Sequence, residues 1–220
     1  MKKFLLFSFV LLGLSFISAN VAIRPEKNVL SKDIRPAKDV LSKKERQFAI
    51  KFLKQTENDV LDKLKGLSDA QLTFKIAPDR WSVEECLKHI AISEQALWQM
   101  TSDTLKQSAD PGRRSGIKMT DDQLIAMIEN RTQKHKTMEQ FKPENTPFKS
   151  KDDALASFRE SRKKLIQFVN STPDDLRDHV ATLPFGMIDC YQMILFIGAH
   201  SNRHAQQMAE VMADPGFPKN

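Results

Sequence analysis

The chain holds two cysteines, Cys86 and Cys190, in 220 residues. Two isolated thiols do not build a disulfide scaffold, and no C-x-x-C pair stands out. Glycine is scarce at 7 and proline modest at 10, which excludes a low-complexity chain. No glycine-rich loop offers to cradle a phosphate, and no Ser-His-Asp set is evident. No convincing stretch alternates apolar with polar residues, so strands are not expected. The apolar run Phe4–Ile17 falls short of the ~20 residues that a membrane span needs. The basic residues are spread along the chain, with no concentrated patch and no known nucleic-acid motif, so nucleic acid is not an expected partner.

What is present begins with "MKKFLLFSFVLLGLSFISAN". Lys2 and Lys3 form a charged start, Phe4–Ile17 an apolar run, and Ser18-Ala19 a small-residue cleavage site. That is the layout of a secretory signal peptide over 1–19. Its removal takes away two lysines and no acid, which lowers the formal charge from +6 to +4. The expected location is therefore exported, periplasmic or extracellular, with no stable membrane span after cleavage. Residues 23–44 hold a repeat of period eleven, "IRPEKNVLSKD" and "IRPAKDVLSKK". Rich in charge and poor in large apolar residues, it reads as part of a flexible linker over 20–41.

Helix starts follow. Ser42 with Glu45, Ser82 with Glu85 and Thr120 with Gln123 have capping-box spacing. Ser150 followed by Asp152 and Asp153 places acids against a helix dipole. The pattern predicts helices over 42–66, 82–107, 120–141, 151–171 and 188–213. Short links argue for an all-α antiparallel bundle over 42–213, with the polar helix 120–141 as an additional accessory to a four-helix core, and a C-terminal tail over 214–220. A homodimer stays open.

In "GAHSNRHAQQ", residues 198–207, His200 and His204 stand four apart. At 100° per residue they share a stripe with Met193, Ile197, Met208 and Val211, so both face the core. Such a pair is either two hydrogen-bonded core histidines or half of a metal site. His89, in "RWSVEECLKHIAISEQALW", points inward from a different helix beside Cys86, Ser93, Ala96 and Met100. Three inward histidines, split one plus two, favour the metal. His135 lies among charges and reads as a surface residue, while His179 sits in a link.

"RWSVEECLKHI" followed downstream by "HSNRHAQQM" resembles the DinB-like (YfiT-like) superfamily, over about Leu41 to Met212. The resemblance implies a four-helix bundle holding a divalent metal on three histidines, here His89, His200 and His204, in a metal-dependent hydrolase or thiol S-transferase of unknown substrate. The signal peptide and the repeat depart from that pattern. Three imidazoles leave a metal position open, which can lower the pKa of water, polarise a carbonyl or hold a thiolate. Zinc fits best; nickel or another divalent ion also suits.

Other candidates carry two readings each. Glu85 either accepts the free N–H of His89 or closes the capping box with Ser82. Arg203 either meets an anionic small-molecule substrate or forms a surface salt bridge. Trp81 and Gln207 are candidate pocket residues, although Trp81 also suits a packing role. The alternative to an enzyme is a non-catalytic bundle that binds a metal or small ligand. Finally, if His89 meets His200 and His204, Cys86 and Cys190 lie too far apart along their helices to pair.

Overall fold

The structure, a computed structural model, describes residues 41–133 and 136–219. The expected signal peptide, nearly all of the linker with its repeat, and His135 lie outside the described residues.

The capping signals do what their chemistry requires. Helix α1 (Lys43–Leu64) starts at Ser42, α3 (Val83–Leu105) at Ser82 and α4 (Asp121–Glu129) at Thr120, each with both halves of the capping box made. Helix α5 (Lys151–Ser171) starts at Ser150, whose hydroxyl accepts from Asp153 N at 3.1 Å. A further box, Ser68 with Gln71, starts the short α2 (Asp69–Thr73), which the sequence pattern did not predict. Helix α6 (Cys190–Met212) begins two residues later than expected, because Asp189 acts as its N-cap and accepts from Gln192 N at 2.7 Å.

The four long helices α1, α3, α5 and α6 form the bundle: α6 packs between α1 and α3, and α5 closes the other side against both. Their apolar stripes bury Leu53, Val60, Leu87, Ile90, Phe158, Leu165, Ile194 and Met208, among others. At the centre sits a charge. Arg162 of α5 is fully buried and donates to Glu94 Oε1 and Oε2 (2.9 and 2.8 Å), Leu53 O (2.7 Å), Thr56 Oγ1 (2.8 Å) and Ser201 Oγ (2.8 Å). One guanidinium thus ties all four helices with its donors satisfied, the condition under which a buried ion is tolerable.

Two expectations need correction. The helix expected over 120–141 stops at Glu129, because past Ile128 the sequence offers no apolar stripe to bury. Asn130 Oδ1 instead accepts from Thr132 N at 2.9 Å, which turns the chain out of the helix. The segment continues through 3-10 turns at Glu139–Phe141 and Pro143–Asn145 that lie against α3, while α4 itself packs on α6. And strands do occur: β1 (Val180–Leu183) and β2 (Gly186–Asp189) pair antiparallel around Pro184-Phe185. Proline presets the turn, and Gly186 takes φ +133°, which L side chains avoid.

At the C-terminal end, Phe217 stands edge-on to Phe74, and Gln71 Nε2 donates to Pro218 O at 2.9 Å. No helix among the described residues is long and apolar enough to cross a membrane.

Candidate metal centre

The capping box at Ser82 fixes where α3 begins, and His89 falls on the second turn, buried at 4 % exposure. Helix α6 brings His200 and His204 to the same level from the facing side. The two helices run antiparallel: His89 meets His200 near one end, and Cys190 Sγ lies 3.8 Å from Thr101 O near the other. The three imidazoles converge. His200 Nε2 is 3.3 Å from His89 Nε2 and 3.3 Å from His204 Nε2, and all three ligand atoms lie within 4.8 Å of one another.

The opposite ring nitrogens are held. Phe141 O accepts from His89 Nδ1 at 2.7 Å, and Gln207 Oε1 accepts from His204 Nδ1 at 3.0 Å. A carbonyl can only accept, so each of these rings carries its proton on Nδ1 and turns a bare Nε2 lone pair toward His200. Burial holds His89 down to about 4, with the Phe141 hydrogen bond pulling the other way. His200 and His204 are held well below the usual imidazole range, first by burial and then by the neighbouring imidazoles. All three are thus neutral near pH 7, as metal ligands must be.

This donor set fits a divalent cation. Two bare lone pairs aimed at one point repel unless something positive sits between them; the single proton His200 carries could satisfy one of them, and the Ser93 hydroxyl, 3.4 Å from His89 Nε2, is too far for more than a weak bond to the other. Tetrahedral ligands at ~2.0–2.1 Å from an ion stand about 3.3–3.4 Å from each other. The two Nε2 separations are already of that size.

The remaining candidates sort differently. The Trp81 ring lies 4.8 Å from His89 and 5.9 Å from His204, centroid to centroid, and walls the centre. Gln207 orients His204. Glu85 does not reach His89: its carboxylate accepts from Ser82 N at 2.9 Å and pairs with Lys75 at 2.7 Å, so the capping box is its role. Arg203 does not form the expected surface salt bridge. It is 7 % exposed and donates to the carbonyls of Ile128 (3.2 Å), Asn130 and Gln133 (2.6 Å). It thereby satisfies the C-terminal carbonyls of α4 and holds the chain that follows. His179 is elsewhere, bonded to Asp175 O and Gln107 O. Both thiols are free and buried, with Cys190 pushed up to about 12 by burial.

Sequence reasoning missed the carbonyl of Phe141. A backbone acceptor leaves no mark in residue type, and Phe141 falls at the end of the helix expected over 120–141. It also passed over Glu94 and Arg162, since a charge inside an apolar stripe reads as surface until its partner is known.

Comparison with known proteins adds relatives to this geometry. The uncharacterized protein YuaE of Bacillus subtilis (strain 168) is 26% identical over 151 residues, which span 68% of this chain and 88% of the relative. A solved structure of YfiT from Bacillus subtilis, described as a probable metal-dependent hydrolase with an unusual four-helix bundle topology, superposes with a TM-score of 0.55 at 15% identity, covering 81% of this chain and 92% of that one. At that identity the likeness is one of fold. The family model for the DinB superfamily matches residues 53–208, a span that carries all three histidines; the chain is a member of the DinB superfamily.

Proposed function

We propose that this protein is an exported, metal-dependent hydrolase that acts on a small molecule, with a divalent ion held by His89, His200 and His204. The observation that carries the reading is the convergence of the three Nε2 atoms while the Nδ1 protons of His89 and His204 are held by carbonyl oxygens. The ion would supply Lewis acidity at a position that the three rings leave open. The description of YfiT as a probable metal-dependent hydrolase supports the same assignment through shared fold. Zinc suits a three-imidazole set, and nickel remains an alternative ion. Export rests on residues 1–19, with the mature chain starting near Asn20. It favours hydrolysis over thiol transfer, because small cytosolic thiols would be out of reach.

The protein's own groups would act through placement. Trp81 shields one side of the centre from water, and the Phe141 and Gln207 oxygens keep two rings aimed. A second reading, a bundle that binds a metal or small ligand without turnover, has one observation in its favour. Among the described residues no carboxylate joins the cluster: Glu85 is bound to Ser82 and Lys75, and Glu94 is locked to Arg162.

The test is a panel of ester, amide and thiol-transfer substrates offered to untagged protein, first stripped by a chelator and then reloaded with zinc or nickel. Hydrolysis that vanishes on stripping and returns on reloading is expected. Fully loaded protein without turnover on any substrate would leave the binding module. Intact Met1 on native cytoplasmic protein would overturn export and bring thiol transfer back.

A further inference from the structure

Helix α6 shows solvent a narrow strip beside the metal centre. Phe196, His200 and Gln207 are half-buried, whereas the residues that flank them around the helix, Ile197, Ala199, Arg203 and His204, are buried. Spaced four and then seven apart, those three lie on one stripe of α6 that runs past the centre. At one end the chain after α4 crosses over: Arg131 donates to both carboxylate oxygens of Glu210 (3.1 and 2.7 Å), and Arg203 holds the carbonyl of Gln133. At the other end the stripe is aromatic. The Phe196 ring stands edge-on to His200 at 6.1 Å, and Phe185, at the turn of the hairpin, stands edge-on to Phe196 at 5.7 Å.

Phe185 is 37 % exposed, an unusual position for a phenylalanine at a hairpin turn, where polar residues are the common choice. The hairpin that carries it is braced. Arg113 donates to Val180 O at 2.8 Å and to Thr182 Oγ1 at 3.0 Å, and the Met187 side chain packs against Gly116. On α3 the His89 face carries no charge: Ser93, Ala96 and Met100 follow at helical spacing, and Met100 is 40 % exposed.

We propose that Phe185 and Phe196 form an apolar subsite for the arm of a substrate whose metal-binding head sits at His89, His200 and His204, and that the hairpin β1–β2 sets this preference. The ligand class is a small molecule with a metal-seeking polar group and an uncharged aryl or branched-alkyl arm one aromatic ring's length away. The inference rests on the centre being an open metal site. An aryl arm gains the area it buries and an edge-to-face partner in Phe196, gains that a one-carbon arm lacks.

Hydroxamates separate the two claims, since the head binds the metal and the arm reads the aromatic pair. Calorimetry on zinc-loaded protein should show benzohydroxamate binding about tenfold tighter than acetohydroxamate. Phe185→Ala, at an exposed position, should cut that preference by roughly threefold while acetohydroxamate binding stays unchanged. Phe196→Leu, which keeps the helix packed, should do the same. Equal binding of the two hydroxamates, or a preference untouched by either variant, would overturn the subsite and leave the metal centre standing. Binding of neither would remove the open metal position and the subsite with it.

Discussion

Gln207 illustrates how a residue with no acid-base chemistry can govern a centre. Its amide oxygen takes the Nδ1 proton of His204 and leaves Nε2 bare. Partners of this kind commonly change metal affinity by about 10–100-fold. Gln207→Leu should weaken zinc binding by that order in competition with a chelating dye, and Gln207→Glu, which keeps an acceptor, should restore most of it; unchanged affinity in the leucine variant would show that the hydrogen bond does not orient the ring. The histidines also predict a pH response. His89 is held at about 4, below its ordinary value of about 6.5. The unfolded chain therefore takes up protons first as pH falls, so the metal-free protein keeps its full stability above about 6.5 and loses part of it through the window down to about 4. Urea melts of chelator-treated protein at pH 7 and pH 5 should show the loss, reduced in His89→Phe. Equal midpoints at the two values would mean that the rings are not buried in neutral form.

Elements were legible where a side chain announces them and opaque where the backbone decides. Ser42, Ser82, Thr120 and Ser150 marked four helix starts, and each hydroxyl makes the predicted bond. Ends were harder. Helix α4 stops early through an Asn130 side-chain turn and three carbonyls held by Arg203, a residue 70 or more positions away in sequence. The hairpin was invisible to an alternation rule because its strands have four residues each, too few to show a period. The three histidines, by contrast, were readable from spacing alone, since inward direction on a helix follows from the rotation per residue. Gly198, two residues before His200, shows an element constraint of another kind. A Cβ there would stand 2.8 Å from the Phe52 ring of α1. Gly198→Val should push α1 and α6 apart and cost about 1–3 kcal/mol in denaturant unfolding. A variant as stable as the parent would show that Phe52 simply turns aside.

For the whole molecule, Arg162 is the joint of the bundle. It reaches α1 through Leu53 and Thr56, α3 through Glu94 and α6 through Ser201, one residue from His200. Removing one partner strands a charge: Arg162→Met should cost about 3–5 kcal/mol, while Arg162→Met with Glu94→Leu should recover much of that, because the ion pair itself adds little beyond its desolvation cost. A single variant with near-parental stability would mean that Glu94 finds water, and that the interior is less closed than its burial implies. The same bundle brings together the two helices whose histidines give the protein its proposed chemistry. The most direct measurement of that claim is elemental analysis of untagged protein after dialysis against a zinc- and nickel-containing buffer, alongside the variants His89→Ala, His200→Ala, His204→Ala and His135→Ala. About one divalent ion per chain is expected in the parent and in His135→Ala, with loss in each of the other three. Full loading that survives His200→Ala, or a metal-free parent, would contradict the account.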